Sequence, residues 1–150
     1  MTHTQVGHTT HWVFAYDIRK DIAKLLPENK CGKWMHVFEE KDYAQIMDIV
    51  IKSVDEDACS EAKLSSAYNM SMYDGTGVAC FYIDGTKPEQ HKRILQFMLN
   101  NNLFPYDDNG HLKDAPFKFD WQTRAGQYDD TFVPEIKLSD FVNLDTGVIF

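Results

Sequence analysis

The stretch Val78-Ala79-Cys80-Phe81-Tyr82-Ile83 decides the fold. It is a short, unbroken apolar run with β-branched and aromatic residues, bounded by Gly77 and by Asp84-Gly85. Such a run reads as a strand buried in a sheet. Upstream, Lys33 to Phe38 (KWMHVF) has the same character and reads as a second strand. Between the two, Tyr43, Ile46, Met47, Val50, Ile51 and Val54 recur with helical spacing. Asp42 and Gln45 precede them in the D-x-x-Q pattern of a capping box. Ala62, Leu64 and Ser66 then alternate with Lys63 and Ser65, as in a half-buried strand. Asp74-Gly75 falls within Met70 to Ile83 and predicts a hairpin there, with Gly77 as a further turn residue.

Working outward, Thr86, Pro88 and Glu89 announce a second helix through a T-x-x-E box with proline in its first turn. Ile94, Leu95, Met98 and Leu99 form its apolar face, and Asn100-Asn101-Asn102 ends it. Phe117 to Trp121 (FKFDW) reads as a strand, and residues 131–138 as another, confined to an edge by Pro134. Near the start, Asp17 to Leu26 predicts a short helix stopped by Pro27, Asn29 and Gly32, and residues 1–11 read as a flexible tail. The central order is β-α-β-β-α-β. It predicts one α+β domain over residues 12–150, a mostly antiparallel sheet with helices on one face. A ferredoxin-like arrangement also fits.

Composition agrees with a single domain. The chain has 150 residues, 43% apolar and 13% aromatic, enough to bury a core without cross-links. Cys31, Cys59 and Cys80 lack CxxC spacing, which argues against a disulfide framework or a cysteine-rich zinc site. Cys80 reads as a small core residue. No apolar run is long enough to span a membrane, and the polar N-terminus lacks the blocks of a secretory signal, so cytoplasmic residence is the expectation. A net charge of −8 disfavours non-specific nucleic-acid binding. Asp107, Asp108, Asp129 and Asp130 read as solvated loop. His3, His8 and His11 sit in the tail, where nothing fixes ligand geometry, so neither metal nor cofactor is expected.

No P-loop, G-x-G-x-x-G, G-x-S-x-G or H-E-x-x-H motif occurs. The residues that stand out are lysines inside strands: Lys33, Lys63 and Lys118. Lysine is seldom buried, so each either faces solvent or serves a site. With Arg124, in T-R-A-G, they are the candidate phosphate ligands, lysine as a point charge and arginine as a fork. Trp34 and Trp121 lie close to these lysines in sequence and are candidates for stacking on a base. Core packing is the competing reading for both.

Four segments taken together carry a family resemblance: G-K-W-M (32–35), E-A-K-L-S (61–65), V-A-C-F-Y-I-D (78–84) and F-K-F-D-W-Q-T-R-A-G-Q-Y (117–128). In that order, over about residues 30–130, they resemble the uncharacterised family named for a protein expressed in basophilic leukaemia. The fold of that family is similar to the messenger-RNA cap-binding translation factor. The resemblance implies a curved antiparallel sheet backed by helices. More distantly, the layout resembles the phosphothreonine lyases of bacterial effectors. That likeness implies Lys33 as a phosphate contact, Lys63 as the base that removes an α-proton, and Arg124 in a late anion-binding loop. The acid histidine of those enzymes corresponds to Met35. His36 follows one step later, and one step along a strand reverses the side-chain direction.

Three functions follow as expectations. The first is a binding domain for a nucleotide, an RNA end or another phosphorylated ligand. The second is a lyase acting by β-elimination on a phosphopeptide, with Lys63 and His36 as its catalytic pair. The third is a protein-interaction domain without a small ligand.

Overall fold

A computed structural model describes residues 3–128 and 131–150. Asp129 and Asp130, half of the expected acidic loop surface, lie outside them, as do Met1 and Thr2. The chain is an α+β domain built on an open seven-stranded sheet. The strands are β1 (Thr4–His8), β2 (Trp12–Asp17), β3 (Cys31–Glu39), β4 (Glu61–Ser65), β5 (Thr76–Asp84), β6 (Pro116–Phe119) and β7 (Ile136–Lys137). Their order across the sheet is β1-β2-β4-β5-β3-β6-β7, and every neighbouring pair is antiparallel. The helices are α1 (Ile22–Leu25), α2 (Tyr43–Asp55), α3 (Ala67–Ser71), α4 (Pro88–Asn100) and α5 (Asp120–Arg124).

The expected β-α-β-β-α-β order is present as β3-α2-β4-β5-α4-β6. β5 lies between β3 and β4, as in a split β-α-β unit. Alternation along the strands makes two unlike faces. Trp34, Phe38, Ala62, Leu64, Ala79, Phe81 and Ile83 point to one face and are buried there. Ile46, Val50 and Val54 of α2 and Ile94, Leu95 and Met98 of α4 pack against them in one core. Burying each large side chain contributes about 1.5–3 kcal/mol, so this layer fixes the register of the strands.

Trp34 and His91 pin the layer together. The Trp34 indole Nε1 donates to His91 Nδ1 at 3.1 Å. His91 Nε2 lies 2.8 Å from the Gly85 carbonyl, and its ring stacks on Phe141 at 4.7 Å. Gly32 and Gly85 allow the close fit beside this pin. A Cβ at Gly32 would lie 2.6 Å from the Lys118 carbonyl oxygen, and one at Gly85 would lie 2.5 Å from the Phe119 ring.

Several local expectations fail for identifiable reasons. Residues 4–8, expected in a flexible tail, form β1 and pair with residues 13–17 of β2. The Asp17–Leu26 helix shrinks to Ile22–Leu25. Asp17 ends β2 instead, with its carboxylate against Arg19 at 2.8 Å, and Asp21 caps the short helix. No hairpin forms over 70–83: Ser66 caps α3, and only then does the chain turn through Asp74 and Gly75, both at positive φ. Gly77 is not a turn residue. It lies inside β5, where a Cβ would lie 2.8 Å from the Phe38 ring. Neither predicted capping box is made: Asp42 makes no side-chain cap. Asp84 holds Thr86, while Lys87 precedes the first turn of α4. FKFDW divides at Phe119, where Gln122 Oε1 accepts the Phe119 amide at 3.0 Å and α5 begins. The edge position expected near Pro134 holds, since β7 is the last strand of the sheet.

Candidate functional site

The second face of the sheet is the chemically interesting one. Lys33, Lys63 and Lys118, from three different strands, all project from it. The register sets Lys33 opposite Lys118 and Tyr82, and Lys63 opposite Cys80. The helix-side neighbours of these residues, Trp34, Leu64, Phe81 and Phe117, are at 0% exposure. The lysines are therefore on the other side by alternation. α1 and α5 stand over one end of this face and enclose a cavity of about 470 Å³. Its charged lining comprises Lys63, Arg124, Glu61, Asp120 and Glu28, and Phe14 and Tyr82 form its aromatic part.

The cations differ in what already holds them. Lys33 is buried and engaged: its Nζ lies 3.0 Å from Asp120 Oδ1 and 3.0 Å from Thr123 Oγ1. Lys118 lies with its Nζ 4.1 Å from the centre of the Tyr128 ring and is not part of the cavity lining. Arg124 is exposed at the rim and donates to the Glu28 carbonyl at 2.9 Å, which ties α5 to the loop after α1. Lys63 is half-buried. Its Nζ sits 3.7 Å from the centre of the Trp12 ring and 5.5 Å from that of Tyr82. Among the described residues, no hydrogen bond or ion pair reaches it.

Burial is the main perturbation of this site. It lowers the Lys63 pKa, and the neighbouring Lys33 charge pushes in the same direction. It raises the Glu61 carboxyl above its usual range, against the pull of Lys63. The Cys80 thiol is pushed up to about 11 by burial, and Cys31, beside Asp120, is likewise raised to about 11. Neither thiol is a nucleophile at neutral pH.

Of the residues singled out in the sequence, Lys63 and Arg124 meet in one cavity, with Lys33 beside it through Asp120. The others do not join them. Trp34 is at 0% exposure, and its indole N–H is committed to His91, so it offers no face to a base. Trp121 stacks on Phe119 at 6.3 Å, against the core. His36 shares the helix side with Trp34, and its Nδ1 lies 2.8 Å from the Leu103 carbonyl. The sheet therefore separates His36 from Lys63, and a phosphate leaving from above Lys63 would find no imidazole acid. The aromatic residue that does meet Lys63 is Trp12, which sequence reasoning passed over. Its signal was available: Trp12, Phe14 and Tyr16 alternate with Val13, Ala15 and Asp17, a strand pattern with three aromatics on one side.

Among the described residues, no cluster of His, Cys, Asp or Glu is arranged to hold a metal ion, and no helix is long and apolar enough to cross a membrane. No protein-family model matches the chain, and no curated protein matches it significantly.

Proposed function

We propose that the cavity under α1 and α5 binds a phosphorylated ligand, a nucleotide or an RNA end, through Lys63 and Arg124. One observation carries the reading: the Lys63 ammonium is half-buried, held between aromatic rings and, among the described residues, makes no ion pair. A cation in that state gains from an anionic ligand what it lacks from the protein. Arg124 at the rim supplies a planar fork suited to phosphate oxygens. Phe14 and Tyr82, the aromatic lining of this cavity, take the stacking role first expected of Trp34 and Trp121. The resemblance to the basophilic-leukaemia family and to the cap-binding fold belongs to the same proposal. The open antiparallel sheet, backed by α2 and α4 on one face and carrying the cavity under α1 and α5 on the other, is in line with it.

The test is a thermal-unfolding screen of wild type, Lys63→Ala and Arg124→Ala. The panel holds inorganic phosphate, mononucleotides, cap analogues and phosphothreonine peptides. A ligand at a hundredfold excess over its dissociation constant stabilises the fold by about 2.7 kcal/mol. The expected result is a shift with one of these ligands in wild type that both variants lose. A panel with no shift refutes the reading and leaves a protein-interaction domain.

A further inference from the structure

Lys63 differs from the other strand lysines in being a candidate nucleophile as well as a cation. Lys33 is fixed by a carboxylate and a hydroxyl. Lys63 is bounded by ring faces, yet it opens into the cavity of about 470 Å³. The titratable groups around it are Lys33 on β3, Glu61 on β4, Cys80 and Tyr82 on β5, and Asp120 on α5. Burial and Lys33 favour its uncharged amine, while Cys80, Asp120 and Glu61 oppose them. Among the described residues no proton donor reaches the Lys63 amine, so its lone pair, once deprotonated, is open to imine chemistry. Glu61 lies two positions away on the same strand face and lines the same cavity. Burial keeps its carboxyl protonated to higher pH than an exposed glutamate. Arg124 lines the cavity as well and can hold an anionic group.

We propose that Lys63 captures a small phosphorylated aldehyde as a reversible imine, with the phosphate resting on Arg124. The proposal rests on the phosphate-binding reading of this cavity and adds the reactive group of the ligand. The Nζ lone pair attacks the carbonyl carbon, and the C=O electron pair moves to oxygen. The nitrogen releases one proton and the oxygen takes one up, giving a carbinolamine. Glu61 then gives its proton to the hydroxyl, which leaves as water while the C=N bond forms. The iminium nitrogen returns a proton to Glu61. Amine and aldehyde become imine and water, nothing is oxidised or reduced, and Glu61 ends as it began.

Pyridoxal 5′-phosphate, a phosphorylated aldehyde, is the probe. The full chain is incubated with one equivalent at neutral pH and reduced with borohydride, and the adduct is mapped by peptide mass spectrometry. The expected result is one adduct per chain, on Lys63. It is absent in Lys63→Arg, whose folding is checked by circular dichroism. In Arg124→Ala it forms about tenfold less readily, the cost of one charge-assisted contact. Inorganic phosphate competes. Adducts spread over exposed lysines such as Lys24 and Lys92, with no preference for Lys63, overturn the proposal. The failure of the two readings is distinguishable. A phosphate or nucleotide shift in the thermal screen, without a Lys63 adduct, sinks the imine and leaves the anion site. Neither shift nor adduct sinks both.

Discussion

Replacing His91 by phenylalanine tests the pin that holds β3 in place. The ring size and the stacking on Phe141 are kept, but both ring nitrogens are lost. Two groups are then orphaned in a buried site, the Trp34 indole N–H and the Gly85 carbonyl. Each costs about 1–3 kcal/mol, so the variant is destabilised by about 2–6 kcal/mol at neutral pH. The loss also depends on pH in a defined direction. Because the indole N–H needs a bare Nδ1 to accept it, the ring stays neutral with its proton on Nε2. Burial holds its pKa below the ordinary histidine value, against weaker opposite effects of the Gly85 carbonyl, Asp84 and Asp140. A histidine depressed in the folded state contributes fully above the unfolded value of about 6.5 and loses that contribution as pH falls toward the folded value. In that window the unfolded chain takes up a proton that the folded one refuses, at about 1.4 kcal/mol per pH unit. Urea unfolding followed by circular dichroism over that range reads both effects. The stability gap between wild type and His91→Phe narrows on acidification at that slope. Parallel pH profiles for the two proteins, or a neutral-pH gap under about 1 kcal/mol, refute the assignment.

Two further predictions concern the cavity. Gly32→Ala sets a Cβ 2.6 Å from the Lys118 carbonyl and the Phe117 ring. It forces β3 and β6 apart, lowers stability by about 1–3 kcal/mol and weakens anion binding through displaced α5. An unchanged melting temperature contradicts this. Asp120→Asn removes the partner of Lys33, whose side chain is 10% exposed against 29% for Asp120. Stability falls by about 1–3 kcal/mol, less than for a fully buried pair. Affinity for inorganic phosphate rises about tenfold, because the cavity loses one negative charge at an effective dielectric near 20. Calorimetric titration of the variant with phosphate checks the sign.

The central layer was legible because its residues obey one period at a time. KWMHVF and VACFYI carry strand chemistry, and α2 and α4 repeat their apolar residues at helical spacing. What failed was governed by contacts distant in sequence. Nothing within residues 4–8 announces a strand; β1 exists because β2 offers an edge to pair with. The face of the lysines was legible, since a lysine inside a strand turns away from the side where α2 and α4 pack. The tryptophans were misassigned because proximity in sequence to a lysine says nothing of the face. Trp34 is adjacent to Lys33 and for that reason on the opposite side, whereas Trp12, 51 positions before Lys63, meets it across the β2–β4 pairing. His36 fails by the same single step.

The placement of β3 between β5 and β6 also bears on how the chain is made. Both neighbours of this strand are synthesised after it, and Lys33 waits for Asp120, 87 positions downstream. At about 5–20 residues per second, that interval is roughly 4–17 s on the ribosome. Until β5 is complete at Asp84, Trp34, Val37 and Phe38 belong to a strand with neither edge paired, and one edge stays open until β6 follows, a template for other nascent chains. Closing so long a loop is slow relative to forming α2. A chain halted before residue 116 would own Lys63 but not Asp120 or Arg124, so the cavity arises only after α5 has been made.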